Sequence, residues 1–149
     1  MESQAKTETN VQQAVPFFMV TSMAASLRFY VDVLGFEMTM KWTPDGDGKV
    51  CWCWLKHGGA ALMLQEYHKD AHHQNSGQPE GILGLGVSVC FMCQDALAIY
   101  HQAKTRGVEA KRPFVGNGLW VVSFLDPDGY RVEFESPTDV PEETEYSES

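Results

Sequence analysis

The spacing of apolar positions along the chain changes several times, and each change marks an element. Ala14–Val20 is a continuous apolar run with Pro16 near its start, the pattern of a buried strand. Ser22 is placed to cap a helix over Met23–Leu34, where Met23, Leu27, Tyr30, Val31 and Leu34 recur at helical spacing and Gly35 supplies the stop. Phe36–Trp42 reads as a strand, Thr43-Pro44-Asp45-Gly46-Asp47-Gly48 as a turn and Val50–Leu55 as a third strand. Gly58 and Gly59 make a tight connection into a fourth, Ala60–Glu66.

Tyr67–Gly81 is polar, rich in His and punctuated by Gly and Pro, so 67–84 is expected to be a linker. The same order then returns. Leu85–Met92 reads as a strand, Asp95–Arg106 as a helix ending at Gly107, Val108–Phe114 and Gly118–Leu125 as strands. Asp126-Pro127-Asp128-Gly129 is a turn leading into a last strand, Tyr130–Glu135. Gly35-Phe36-Glu37 after the first helix is matched by Gly107-Val108-Glu109 after the second, 72 residues later, and Gly59 by Gly129 at an offset of 70. Two copies of a βαβββ unit are therefore expected, over 14–66 and 85–136. They follow a disordered segment, 1–13, and precede a disordered, solvating acidic tail, 137–149. The expected class is α+β: two tandem βαβββ modules forming a cupped, mostly antiparallel mixed sheet with helices on the outer face.

Composition narrows the functions this fold could carry. The chain has 149 residues, 44% of them hydrophobic and 21% charged, which suits one globular unit. Eleven Lys and Arg against twenty Asp and Glu leave a net charge of −9, so nucleic acid is not an expected partner. No apolar run approaches the ~20 residues of a membrane span, and Met1–Gln13 does not read as a secretion signal; a cytoplasmic protein is expected. Cys51 and Cys53 alternate in a strand, which places both sulfurs on one face rather than in a zinc knuckle, and no Gly-Pro-type helix start separates Cys90 and Cys93 for redox chemistry, so all four are read as packing thiols. His68, His72 and His73 fall in the linker and are read as solvated.

Two segments carry a family resemblance. Ser26-Leu27-Arg28-Phe29-Tyr30-Val31-Asp32-Val33-Leu34-Gly35-Phe36 and Asp126-Pro127-Asp128-Gly129-Tyr130-Arg131-Val132-Glu133-Phe134 resemble the first helix and the final hairpin of the vicinal oxygen chelate superfamily, which includes glyoxalase I, extradiol dioxygenases and bleomycin-resistance proteins. The resemblance implies a concave site to which metal-dependent members contribute one ligand from each of four strands. Those positions fall here at Val15, Met63, Ser88 and Glu133, and only Glu133 is a residue of the expected kind. No cofactor is expected on this reading.

Strand alternation supports the same facings. Phe18 and Val20 should pack inward while Val15, Phe17 and Met19 line the concavity, joined by Ala61, Met63 and Gln65, then by Ser88, Cys90 and Met92. Val132 and Phe134 should pack on the helix and leave Glu133 in the cup. Trp52 and Trp54 share a face, either as core against a neighbouring sheet or as an aromatic wall for a planar or cationic ligand. Glu133 could act as a base, hold a cation or pair with Arg131. The expected ligand-binding set is Phe17, Trp52, Trp54, Met63, Ser88, Met92, Trp120 and Glu133. The favoured function is a metal-free cup that binds a small aromatic or cationic molecule, as in bleomycin-resistance-like members. The alternatives are a divergent lyase, isomerase or dioxygenase holding a divalent metal through Glu133, and a structural or regulatory dimer. A homodimer is expected in each case.

Overall fold

The computed structural model of the chain describes residues 9–67 and 78–148. The first module contains β1 (Phe17–Val20), α1 (Met23–Leu27), β2 (Glu37–Trp42), β3 (Trp52–His57) and β4 (Ala60–Glu66). The second contains β5 (Ser88–Met92), α2 (Ala96–Thr105), β6 (Phe114–Gly116), β7 (Leu119–Leu125) and β8 (Arg131–Pro137). Each module builds a four-stranded sheet, in the orders β1-β4-β3-β2 and β5-β8-β7-β6. In both, the first strand runs parallel to the last and the remaining pairs are antiparallel. This is an α+β fold of tandem βαβββ modules, as the repeat implied. No helix among the described residues is long and apolar enough to cross a membrane.

The helices begin where the sequence placed their caps. Ser22 accepts from the Ala25 amide, and Asp95 from the Ala98 amide at 3.0 Å. The first helix is not regular, however: it widens into a π-helical segment over Arg28–Val33, where the Leu34 amide bonds five residues back to Phe29. The wider turn lets the adjacent Phe29 and Tyr30 both enter the core, their rings edge to face at 4.9 Å.

One core serves both modules. Phe29 meets Phe124 and Phe36 meets Phe91 across the boundary, while the Phe18 ring stacks on Tyr130 with centroids 4.1 Å apart. Polar clasps flank these rings. Thr21 donates from its amide and hydroxyl to Asp128, the Tyr130 hydroxyl donates to the Met19 carbonyl, and Arg106 donates to the Val33 carbonyl. Ile82–Gly84 lies against the Asp126–Gly129 turn. A Cβ on Gly84 would fall 2.5 Å from the Tyr130 ring, and with φ at +78° the position requires glycine.

Several boundaries depart from the expectations. Leu85–Val87 and Val108–Pro113 lie outside strands, so β5 and β6 are shorter than the strands expected there. Residues 1–8 of the expected disordered segment, and 68–77 of the linker with His68, His72 and His73, lie outside the described residues. The tail is the clearest correction. It does not project into solvent: it runs along β6, with the Val115 amide donating to Thr144, Glu143 to Val115 and Tyr146 to Pro113. The Tyr146 ring packs on Trp120 and Tyr100, and Glu145 and Glu148 pair with Arg112 and Lys104. Its acidic composition concealed one apolar anchor and two cationic partners.

Candidate functional site

Each sheet has one face packed on the shared core and one face turned away from it. Alternation decides which side chains occupy the open faces. In β1, Phe18 and Val20 are buried, whereas Phe17 and Met19 point outward. Strand register then assembles the open face of the first module in rows. Met40 pairs with Trp54, Trp54 with Met63 and Met63 with Phe17, giving one row across all four strands. The next row is Trp42, Trp52, Gln65 and Met19. Three indoles, three thioethers and a phenyl ring thus lie within two adjacent rows.

A bulge puts two of these residues there. Between Met38 and Met40 the register shifts against β3, so that Met38 packs on the core while Met40 and Trp42 face outward. Met40 and Trp42 are 53% and 48% exposed, high values for such side chains. Strict alternation would have put Met38, Met40 and Trp42 on one face; Trp42 is one of four tryptophans, more than a small core requires, but nothing nearby in the sequence marks the bulge that turns it and Met40 outward. Trp52 and Trp54 occupy the open face rather than the core, and the Trp54 indole N–H is buried with no hydrogen-bond partner among the described residues.

The open face of the second module has a different chemistry. Glu133 lies between Cys90 of β5 and Ser123 of β7, and Glu135 between Met92 and Val121. Arg131 lies between Ser88 and Leu125. Partial burial raises the Glu133 carboxyl above its ordinary value, and the nearby Glu135 charge adds to this while Arg131 opposes it. Burial, with the Glu135 hydrogen bond and charge behind it, pushes the Cys90 thiol up to about 12. Cys90 is therefore a neutral thiol near pH 7 and a poor nucleophile.

Of the residues expected at the site, Phe17, Trp52, Trp54 and Met63 come together on the first open face, and Ser88, Met92 and Glu133 on the second. Trp120 does not join them. It pairs with Ser136 in register and lies on the helix-covered face of β7, its ring edge to face with Tyr146 at 5.8 Å. The open positions of that strand are Val121, Ser123 and Leu125. A Trp in a strand has an apolar surface suited to either face, and only the register distinguishes them.

The four family metal positions hold a valine, a methionine, a serine and one carboxylate, and Met63 and Glu133 lie on different sheets. This donor set does not fit a divalent cation. Among the described residues no three His, Cys, Asp or Glu side chains gather into a group that could hold a metal ion.

Several solved structures share this architecture. SMU.1112c aligns with a TM-score of 0.66 at 19% identity, covering 86% of this chain and 100% of that one. A bleomycin resistance determinant encoded on the transposon Tn5 aligns at 0.63 and 21% identity, over 87% of this chain and 100% of that one. TnmS3, an antibiotic binding protein from Streptomyces sp. CB03234, aligns at 0.61 and 20% identity, over 85% and 98%. At these identities the likeness is one of fold. No curated protein matches the chain in sequence. The family model described as Glyoxalase/Bleomycin resistance protein/Dioxygenase superfamily matches residues 12–134, which spans both modules, and the chain belongs to that superfamily.

Proposed function

We propose that the protein is a cytoplasmic, homodimeric binding protein that holds a small planar aromatic or cationic molecule against its open sheet faces without a metal ion. The observation that carries this reading is the row Met40, Trp54, Met63, Phe17, backed by Trp42 and Trp52. Flat, polarisable side chains of this kind stack on ring systems, and their faces attract cations. Glu133 and Glu135 on the second open face supply negative charge for a cationic group. Binding of antibiotics by similarly folded proteins, among them the bleomycin-binding protein complexed with bleomycin, agrees with this class of ligand.

Calorimetric titration of the protein in a chelator, with metal-free bleomycin and with the planar cation proflavine, tests the reading. Saturable binding by either, weakened about tenfold in Trp54→Ala, is the expected result. Binding by neither compound overturns it. Binding that requires an added divalent ion and disappears in Glu133→Gln also overturns it and favours the metal-dependent lyase, isomerase or dioxygenase. A light-scattering mass near 16.7 kDa would refute the dimer.

A further inference from the structure

The two modules leave a cleft of about 580 Å³ between the start of β1 and the free edge of β5. All five residues from Val89 to Cys93 line it. Cys90 and Met92 belong to the open face of β5, and Val89 and Phe91 to its core face, so the cleft straddles the strand edge itself. Pro16, Ala60 and Ala61 form the opposite wall, with Phe36 and Phe134 beneath.

The backbone at that edge has a defined polarity. The Cys93 amide donates to the Glu135 carbonyl at 2.8 Å, so Val89, Phe91 and Cys93 turn their amides and carbonyls toward β8. Successive residues of a strand alternate, so Cys90 and Met92 turn theirs toward the cleft. Among the described residues these groups have no backbone partner. An edge that presents alternating donors and acceptors beside an apolar wall is a template for another strand.

Charge narrows the occupant. No Asp, Glu, Lys or Arg lines the cleft, although the chain carries a net charge of −9. Apart from the two thiols, His57 is the one ionisable side chain in the lining, so a charged ligand would lose hydration against a mostly apolar surface. Length narrows it further: Val89 to Cys93 spans about 13 Å, room for about four residues of extended chain. The volume lies within the ~300–1,000 Å³ of small-molecule sites.

We propose that this cleft is a second binding site, which takes a short, neutral, apolar peptide-like molecule as an added strand on the free edge of β5. The site adjoins the open faces through Ala61, Cys90 and Met92 but contains no residue of the aromatic rows, so Trp54→Ala distinguishes a failure of one reading from a failure of the other. The edge supplies the main-chain hydrogen bonds, and Phe36, Ala60, Ala61 and Phe134 supply apolar contact for alternate side chains.

The test is titration of the full chain with an acetylated and amidated Val-Phe-Val-Ala tetrapeptide, followed by calorimetry and by amide hydrogen exchange. Expected are saturable binding and slowed exchange at Cys90 and Met92. N-methylation of the peptide amides that face β5 should weaken binding about tenfold or more, because each removes a hydrogen bond and adds a clash. Ala14→Trp, at an exposed position lining the cleft, should weaken it comparably, whereas Trp54→Ala should leave it unchanged. The proposal is overturned by absence of saturable binding, by equal binding of the N-methylated peptide, or by loss of binding in Trp54→Ala. It is also overturned if exchange at Cys90 and Met92 slows with protein concentration alone, since a second copy of the chain then occupies the edge.

Discussion

The hydroxyl of Tyr30, in the first module, donates to the Asp126 carboxylate of the second at 2.7 Å, and both residues are buried. Ninety-six residues separate them. Burial and the adjacent carboxylate hold the Tyr30 hydroxyl far above the usual tyrosine range, so it stays protonated as a donor. Asp126 also accepts from the amides of Asp128 and Tyr130, which shapes the turn into β8. One carboxylate thus couples the local turn to the docking of the two modules.

Tyr30→Phe removes that donor with little change in shape. A buried hydrogen bond to a charged group contributes about 2 kcal/mol, and the variant should lose roughly this much in denaturant unfolding. Tm should fall by several degrees, while binding at the aromatic face should be unchanged at temperatures where the variant is folded. An unaltered Tm would show that the clasp contributes nothing net.

Glu133 makes the protein respond to pH in a defined direction. Its carboxyl is raised above the ordinary value of 4.5, chiefly by burial and then by Glu135. Its stabilising contribution is therefore present below 4.5 and is lost as pH rises through the folded value. Glu133→Gln should flatten the decline in stability over that window and leave Tm at pH 7 equal or slightly higher. A cationic ligand should show the opposite trend in the natural chain. Its affinity should fall on acidification, starting above the pH at which an exposed glutamate protonates, and the dependence should shrink in Glu133→Gln. Calorimetry from about pH 4 to pH 7 follows both trends.

Tyr146 anchors the acidic tail. Its ring meets Tyr100, His101 and Trp120, and its hydroxyl lies 2.8 Å from His101 Nε2. Tyr146→Ala should cost about 1–3 kcal/mol, less than a fully buried aromatic because the ring is only half-buried. It should also speed amide exchange at Val115, whose amide the tail holds through Thr144. If only the tail signals sharpen and Tm holds, the tail is an ornament rather than part of the fold.

Much of the site could be read from residue order alone. Alternation in β4, β5 and β8 assigned Met63, Ser88, Met92 and Glu133 to the open faces, because one side of each of these strands is more apolar, whereas β1 is apolar on both sides and only its alternation with Phe18 and Val20 placed Phe17. Trp120 was misplaced because aromatic character does not identify a face. Met40 and Trp42 were missed because a single bulge reverses the pattern, and no local residue type announces a bulge of this kind. The tail was misread because net charge outweighed one tyrosine whose partners lie on α2 and β7.

The repeat, the helix caps, the glycine stops and the order of the strands are local properties: they follow from spacing and backbone preference within a few residues, and the amino-acid order sufficed for them. The joining of two modules through Tyr30 and Asp126, the aromatic rows across four strands, and the cleft along β5 depend on residues far apart in the chain. Register and packing bring those residues together, and many pairings are compatible with the same local pattern. Only the assembled tertiary structure selects among them.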